Sequence, residues 1–158
     1  MPDRQTPDRS SRVWFRLVRL EARMQAAVGE RLRQIGVSIP QCDVLTTLTE
    51  QEGVSQQELA KRLYVTKGNI SGLIDRLAEA GLVERRSTAS DRRQRAIHLT
   101  EAGRAMAEKA LAVQRRWIAA TLGRMAEGDL EALETQLIAL RDIVREAAAR
   151  EPAGAAKG

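Results

Sequence analysis

Side chains able to do covalent chemistry are sparse in this 158-residue chain, which holds one histidine, His98, and one cysteine, Cys42. A lone histidine offers no serine–histidine–acid set, and one histidine with one cysteine falls short of a zinc ligand set. Ser71-Gly72 lacks the flanking pattern of a nucleophile elbow, and no phosphate-binding loop is present. The acids Asp129, Glu131 and Glu134 open a helix, where carboxylates complement the macrodipole. The expectation is therefore a non-enzyme with no catalytic residue, metal or cofactor. The remaining chemistry is hydrogen bonding by a run of small and polar residues: Thr66, Lys67, Gly68, Asn69, Ser71, Gly72 and Arg76.

Two short helices would position that run. Ser55 and Glu58 have the spacing of a capping box, with Val54 and Leu59 as its staple, so one helix starts near Gln56. Thr66 with Asn69, and Val65 with Ile70, repeat the arrangement, so a second helix starts about two residues after Tyr64. A turn this tight predicts a helix-turn-helix. In the second helix Ile70, Leu73, Ile74 and Leu77 form a buried stripe, and Gly81 is a left-handed stop. At about 100° per residue, Gly68, Ser71, Gly72, Asp75 and Arg76 point the other way. Glycine inside a helix costs about 1 kcal/mol against alanine, so Gly68 and Gly72 one turn apart imply close approach by a DNA groove or by another helix.

The flanks favour DNA. Glu84 to His98 holds five arginines (Arg85, Arg86, Arg92, Arg93, Arg95) against Glu84 and Asp91, a net +3. Turn formers in its middle, and alternation of Ala96 and His98 against Ile97 and Leu99, predict a β-hairpin. Such a basic ribbon beside a helix-turn-helix reads as a wing, with Arg93 and Arg92 reaching the minor groove while the helix occupies the major groove. Thr66 and Lys67 would fix phosphates, Gly68, Asn69, Ser71 and Gly72 would face base edges with Arg76 beside them, and Asp91 would brace the wing through an arginine. An ordinary turn aspartate is the other reading of Asp91.

The overall charge is +5 with a pI near 10.1. Its distribution is more informative: Lys61 to His98 is +5 by nine cations against four acids, and Glu127 to Glu146 is −4 by two against six. Positive charge thus gathers on the proposed reading head. One cysteine excludes an internal disulfide framework, and the chain has neither a membrane-spanning apolar run nor a signal-peptide core, so a cytoplasmic protein with no membrane partner is expected. Cys42 occupies a staple position after the Ser38–Gln41 capping box, paired with Val37. It reads as a small core hydrophobe, the alternative being a redox-sensing thiol.

Long helices flank this lobe. Val13, Leu17, Leu20, Met24, Val28, Leu32 and Ile35 keep helical spacing, with Arg12, Arg16, Arg19 and Arg23 on the other face as solvated charge or a carboxylate anchor. Thr100 caps a helix to about Leu122 with a Met106, Ala110, Val113, Trp117, Ala120 seam. Leu130, Leu133, Leu137, Leu140 and Val144 step by 3, 4, 3, 4 in a last helix, a narrow seam suited to another helix. The predicted organisation is a flexible arm over 1–9, a first dimerisation helix over 10–35 and a winged helix-turn-helix lobe over 38–99. Within the lobe the recognition helix spans 67–79 and the wing 84–98. C-terminal dimerisation helices occupy 100–149 and a disordered tail 150–158. So small a core cannot cover both seams, which predicts a homodimer. The fold class is mainly α with a small β-hairpin.

The segment VTKGNISGLIDRLAEAGLVER, then SDRRQR with its Asp91-Arg92-Arg93 run, then IHLTEAGR, resembles the MarR (multiple antibiotic resistance regulator) family of winged-helix transcription factors over nearly the whole chain. The resemblance implies the same dimer and a double-stranded DNA partner. It also implies release from DNA by small aromatic or phenolic acids bound where the first helix meets the lobe, which suggests Trp14, Arg16, Leu17, Cys42 and Trp117. Trp14 and Trp117 read equally as dimer-core residues. Some members of the family sense oxidants through a cysteine in the first helix; Cys42 lies outside that helix. The expected function is a repressor on a pseudo-palindromic operator. The competing readings are a sequence-indifferent DNA-compacting protein, a Cys42 redox regulator and a protein-interaction module.

Overall fold

The computed structural model describes residues 8–87 and 95–150. Helices α1 (Arg9–Gln34), α2 (Ile39–Glu50), α3 (Gln56–Arg62), α4 (Lys67–Glu79), α5 (Glu101–Ala120) and α6 (Glu127–Arg150) accompany three strands, β1 (Val54–Ser55), β2 (Val83–Ser87) and β3 (Arg95–Leu99). The chain divides into two compact units within α5, Met1–Arg115 and Arg116–Gly158.

Helix starts follow local capping chemistry. Ser38 and Gln41 make both bonds of a capping box, the Gln41 amide donating to Ser38 Oγ at 3.4 Å and the Ser38 amide to Gln41 Oε1 at 2.8 Å. Ser55 Oγ accepts from the Glu58 amide at 3.1 Å and Thr66 Oγ1 from the Asn69 amide at 3.3 Å. The Glu58 carboxylate turns instead to Arg62 Nε at 3.0 Å. Thr100 Oγ1 accepts from the Gly103 amide at 2.9 Å and donates to the Gly81 carbonyl at 2.6 Å, tying the start of α5 to the end of α4.

The ends of α1 and α4 share a single geometry. After α1 the Gly36 amide donates to Arg33 O and the Val37 amide to Leu32 O; after α4 the Gly81 amide donates to Ala78 O and the Leu82 amide to Leu77 O. Both glycines have positive φ, 88° and 71°. This is the Schellman stop.

The core of the first unit is a continuous cluster: Leu32, Val37, Cys42, Val44, Leu45, Leu48, Leu59, the α4 residues Ile70, Leu73, Ile74 and Leu77, then Val83, Ile97, Leu99, Ala107 and Ala110 among others. The staple pairs Val37 with Cys42, Val54 with Leu59, and Val65 with Ile70 all belong to it or pack on it. Gly103 lets α5 approach: a Cβ there would overlap the Leu82 carbonyl oxygen and sit 2.9 Å from its carbon.

Several expectations are corrected. The expected hairpin is present as β2 with β3, and the unexpected addition is β1, a third antiparallel strand that gives the order β1-β3-β2; Val54 pairs with Ile97, and Val83 through Ser87 pair with Leu99 through Arg95. Because β3 is central, Ala96 is buried together with Ile97 and Leu99, and the expected alternation fails there. α1 begins at Arg9 because the Asp8 carboxylate accepts from the Ser11 amide at 2.7 Å, a polar signal that apolar periodicity does not register. Arg150 belongs to α6, not to the tail. The rest of the arm over 1–7 and of the tail over 151–158 lies outside the described residues.

α5 ends at Ala120 rather than Leu122 and gives way to a 3-10 turn over Leu122–Arg124. Its buried residues are Gly103, Ala107 and Ala110, with Met106 and Val113 packed beside them, whereas Ala120 of the expected seam is exposed. Close approach to Leu82 requires glycine at position 103.

Candidate nucleic-acid interface

The sequence of α4 divides it into two faces. Ile70, Leu73, Ile74 and Leu77 are buried, while Lys67, Gly68, Asn69, Asp75 and Arg76 are exposed and Ser71 and Gly72 half-exposed. Thr66, exposed, caps the helix. The structure therefore brings Thr66, Lys67, Gly68, Asn69, Ser71, Gly72 and Arg76 together on one outward surface. A Cβ added at Gly68 or at Gly72 would meet no atom within 4 Å. Among the described residues nothing packs against these two positions, so the close approach the glycines permit is open to a molecule from outside. With small side chains, three hydrogen-bonding groups and two cations at its ends, the surface can present donors and acceptors to base edges and cations to phosphates.

One expected member of this face is paired. Asp75 is engaged by Arg85 of β2, whose Nη2 lies 2.5 Å from Asp75 Oδ1 while its Nε donates to Gln56 Oε1 at 3.1 Å. Arg85, one of the wing cations by charge, ties the strand to α3 and α4 at once and offsets the Asp75 charge on the outward face of α4. The signal for it was present in strand periodicity. Val83 and Arg85 share a face, buried and half-buried, while Glu84 and Arg86 face out and pair with each other.

His98, the other candidate for chemistry, is structural. Its Nδ1 lies 3.3 Å from Glu52 Oε2, Arg104 pairs with the same carboxylate, and the ring packs 3.3 Å from where a Cβ of Gly53 would stand. Gly53 has φ 76°. Among the described residues no three His, Cys, Asp or Glu side chains gather as a metal site, and no helix is long and apolar enough to cross a membrane.

The suggested ligand residues are placed differently. Trp14, Arg16 and Leu17 lie on the exposed first half of α1, Trp14 at 60% exposure. Cys42 is fully buried in the lobe core beside residues of the far end of α1, some 27 Å along the helix from Trp14 at 1.5 Å per residue. Burial pushes its thiol up to about 11, helped by the Asp43 carboxylate, so it is held as a neutral core group far from thiolate chemistry. Trp117 is half-buried in the last turns of α5. Asp91, Arg92 and Arg93 lie outside the described residues.

Comparison with known proteins gives the family. The MarR family model matches residues 35–94, the stretch from the end of α1 to the wing. An HTH-type transcriptional regulator of Bacillus cereus is 34% identical over 104 residues, 66% of this chain and 69% of that protein. An HTH-type transcriptional repressor of Mycobacterium tuberculosis is 32% identical over 111 residues, 70% of this chain and 80% of that one. Among solved structures, CouR from Rhodococcus jostii RHA1, bound to p-coumaroyl-CoA, superposes with a TM-score of 0.74 at 29% identity, covering 85% of this chain and 95% of CouR. With the winged helix-turn-helix, the open α4 face and these relatives in agreement, the chain belongs to the MarR family of DNA-binding transcriptional regulators.

Proposed function

We propose that the protein is a sequence-specific repressor that acts as a homodimer on a pseudo-palindromic operator and is released by a small-molecule effector. The observation that carries this reading is the outward α4 surface around Gly68 and Gly72, polar, small and uncovered. Two copies would set their α4 helices in successive major grooves about 34 Å apart, on half-sites roughly 10 base pairs from centre to centre. Gly68, Asn69, Ser71 and Gly72 then read base edges with Arg76 beside them, Thr66 and Lys67 hold phosphates, and Arg92 and Arg93 enter the minor groove beside a wing braced by Asp91.

Unsatisfied apolar surface supports the dimer. Val13, Trp14, Phe15, Leu17, Val18 and Leu20 of α1 are exposed, and so, in the second unit, are Leu137, Ile138, Leu140, Ile143 and Val144 of α6. Stripes of this kind on a monomer mark an interface, and a second copy covers both. The repressor role is supported by the name of the Mycobacterium tuberculosis relative. An aromatic acid or its thioester as effector is supported by the p-coumaroyl-CoA in CouR. Such a ligand acts only by binding the DNA-incompetent spacing of the two lobes better than the competent one. The site of action is the cytoplasm, at the nucleoid.

Selecting bound sequences from a random DNA pool at physiological salt tests the reading. A palindromic consensus is expected. A pool with no consensus and a steep salt slope would identify a DNA-compacting protein instead. A second round with phenolic acids and their CoA thioesters should release the bound duplex.

A further inference from the structure

Tyr64 breaks a rule that the rest of the chain keeps. Helix α3 ends in the same Schellman geometry as α1 and α4: the Tyr64 amide donates to Lys61 O at 3.4 Å and the Val65 amide to Ala60 O at 3.0 Å. The two other helices place glycine at the left-handed position of this motif, Gly36 and Gly81, whereas α3 places a tyrosine there, at φ 54°. It is the only non-glycine residue with positive φ among the described residues. A Cβ crowds its own backbone in this conformation, and an aromatic ring adds nothing to relieve it.

The fold gains nothing visible in return. Tyr64 is 96% exposed, and its hydroxyl makes no hydrogen bond among the described residues. This is the one tyrosine of a chain with only 3% aromatic residues. It stands in the helix-turn-helix turn, between the end of α3 and the Thr66 cap that opens α4. A strained backbone carrying an exposed side chain is retained where that side chain works on another molecule.

We infer that Tyr64 is a DNA-contacting residue, its ring packing on a deoxyribose and its hydroxyl donating to a phosphate oxygen at the edge of the groove that α4 enters. This rests on the reading of α4 as the recognition helix. The contact is sequence-independent and neutral, so it contributes to operator and random duplex alike and leaves the salt dependence of binding unchanged.

Three variants test it by fluorescence anisotropy on the selected operator and on a scrambled duplex, beside thermal melting. Y64G and Y64N adopt positive φ without the ring, so both should melt at or above the wild-type temperature yet bind both duplexes roughly tenfold more weakly. Y64F, which keeps the ring and loses the hydroxyl, should fall between them and wild type. The salt slope of all three should match wild type, whereas Lys67→Ala should lower it by about one. Unchanged affinity in Y64G overturns the inference. So does a loss confined to the operator, or one that appears only with a lowered melting temperature. Wild-type affinity in Y64F removes the phosphate contact. If wild type selects no consensus, the operator reading fails, but the effect of Tyr64 is still read on the scrambled duplex.

Discussion

Helices α4 and α6 carry leucines and isoleucines at similar helical spacing, and the structure treats them in opposite ways. Every member of the α4 stripe is buried against the lobe, while no residue of α6 is buried at all. The same contrast divides α1, whose last turns bury Gly29 and Leu32 and whose first turns expose Val13, Trp14 and Phe15. An apolar stripe is thus a demand for a partner, and only in the lobe does this chain supply that partner itself. Elsewhere the stripes stand exposed, and that exposure is the physical basis of the proposed dimer.

The largest effect should come from breaking the stripe that lacks a partner. Leu137→Glu with Leu140→Glu places charge on a face already exposed in one chain, so the lobe should keep its melting transition. The dimer should dissociate, and loss of the linked second half-site should cost about a hundredfold or more in operator affinity. Sedimentation and gel shift on the same samples check both halves; a dimer that survives would separate α6 from the interface.

Next comes the converse, a change inside the lobe. Gly103→Ala forces a methyl into the Leu82 carbonyl and should destabilise by about 3 kcal/mol, at the upper end of overpacking costs, measured by denaturant unfolding. If stability is unchanged, α5 does not approach Leu82 as described. At the wing, Arg93→Ala should lower operator affinity by about 1 to 3 kcal/mol with the dimer intact, and an unchanged gel shift would remove the wing from the interface. The smallest effect sharpens the contrast between buried and open faces. Gly72→Ala meets no atom of the described residues, so stability should rise by up to about 1 kcal/mol while operator affinity falls. A rise in both would mean that nothing approaches that backbone.

The fold class was legible from short-range chemistry. Ser38, Ser55 and Thr66 cap helices because a hydroxyl two or three residues from an orphan amide needs no tertiary help, and Gly81 stops α4 because left-handed backbone penalises a Cβ. The outward face of α4 followed from periodicity in the same way. Strand β1 was not legible: two residues are too few for alternation, and Val54 and Ser55 become a strand only because β3 offers them an edge. The Arg85–Asp75–Gln56 link was missed because charge counting treats an arginine as free until a neighbour's position is known.

By itself the sequence determined the caps of α2, α3 and α4, which stripe of each helix is apolar and where positive charge gathers, since these depend on residues within a turn or two of one another. Only the tertiary structure decided which stripes are covered, that Cys42 is sealed in as a neutral thiol, and that Asp75 is paired while Gly68 and Gly72 stand open. Those outcomes depend on which residues distant in the chain arrive at the same place, and packing, desolvation and ion pairing act only once they have arrived.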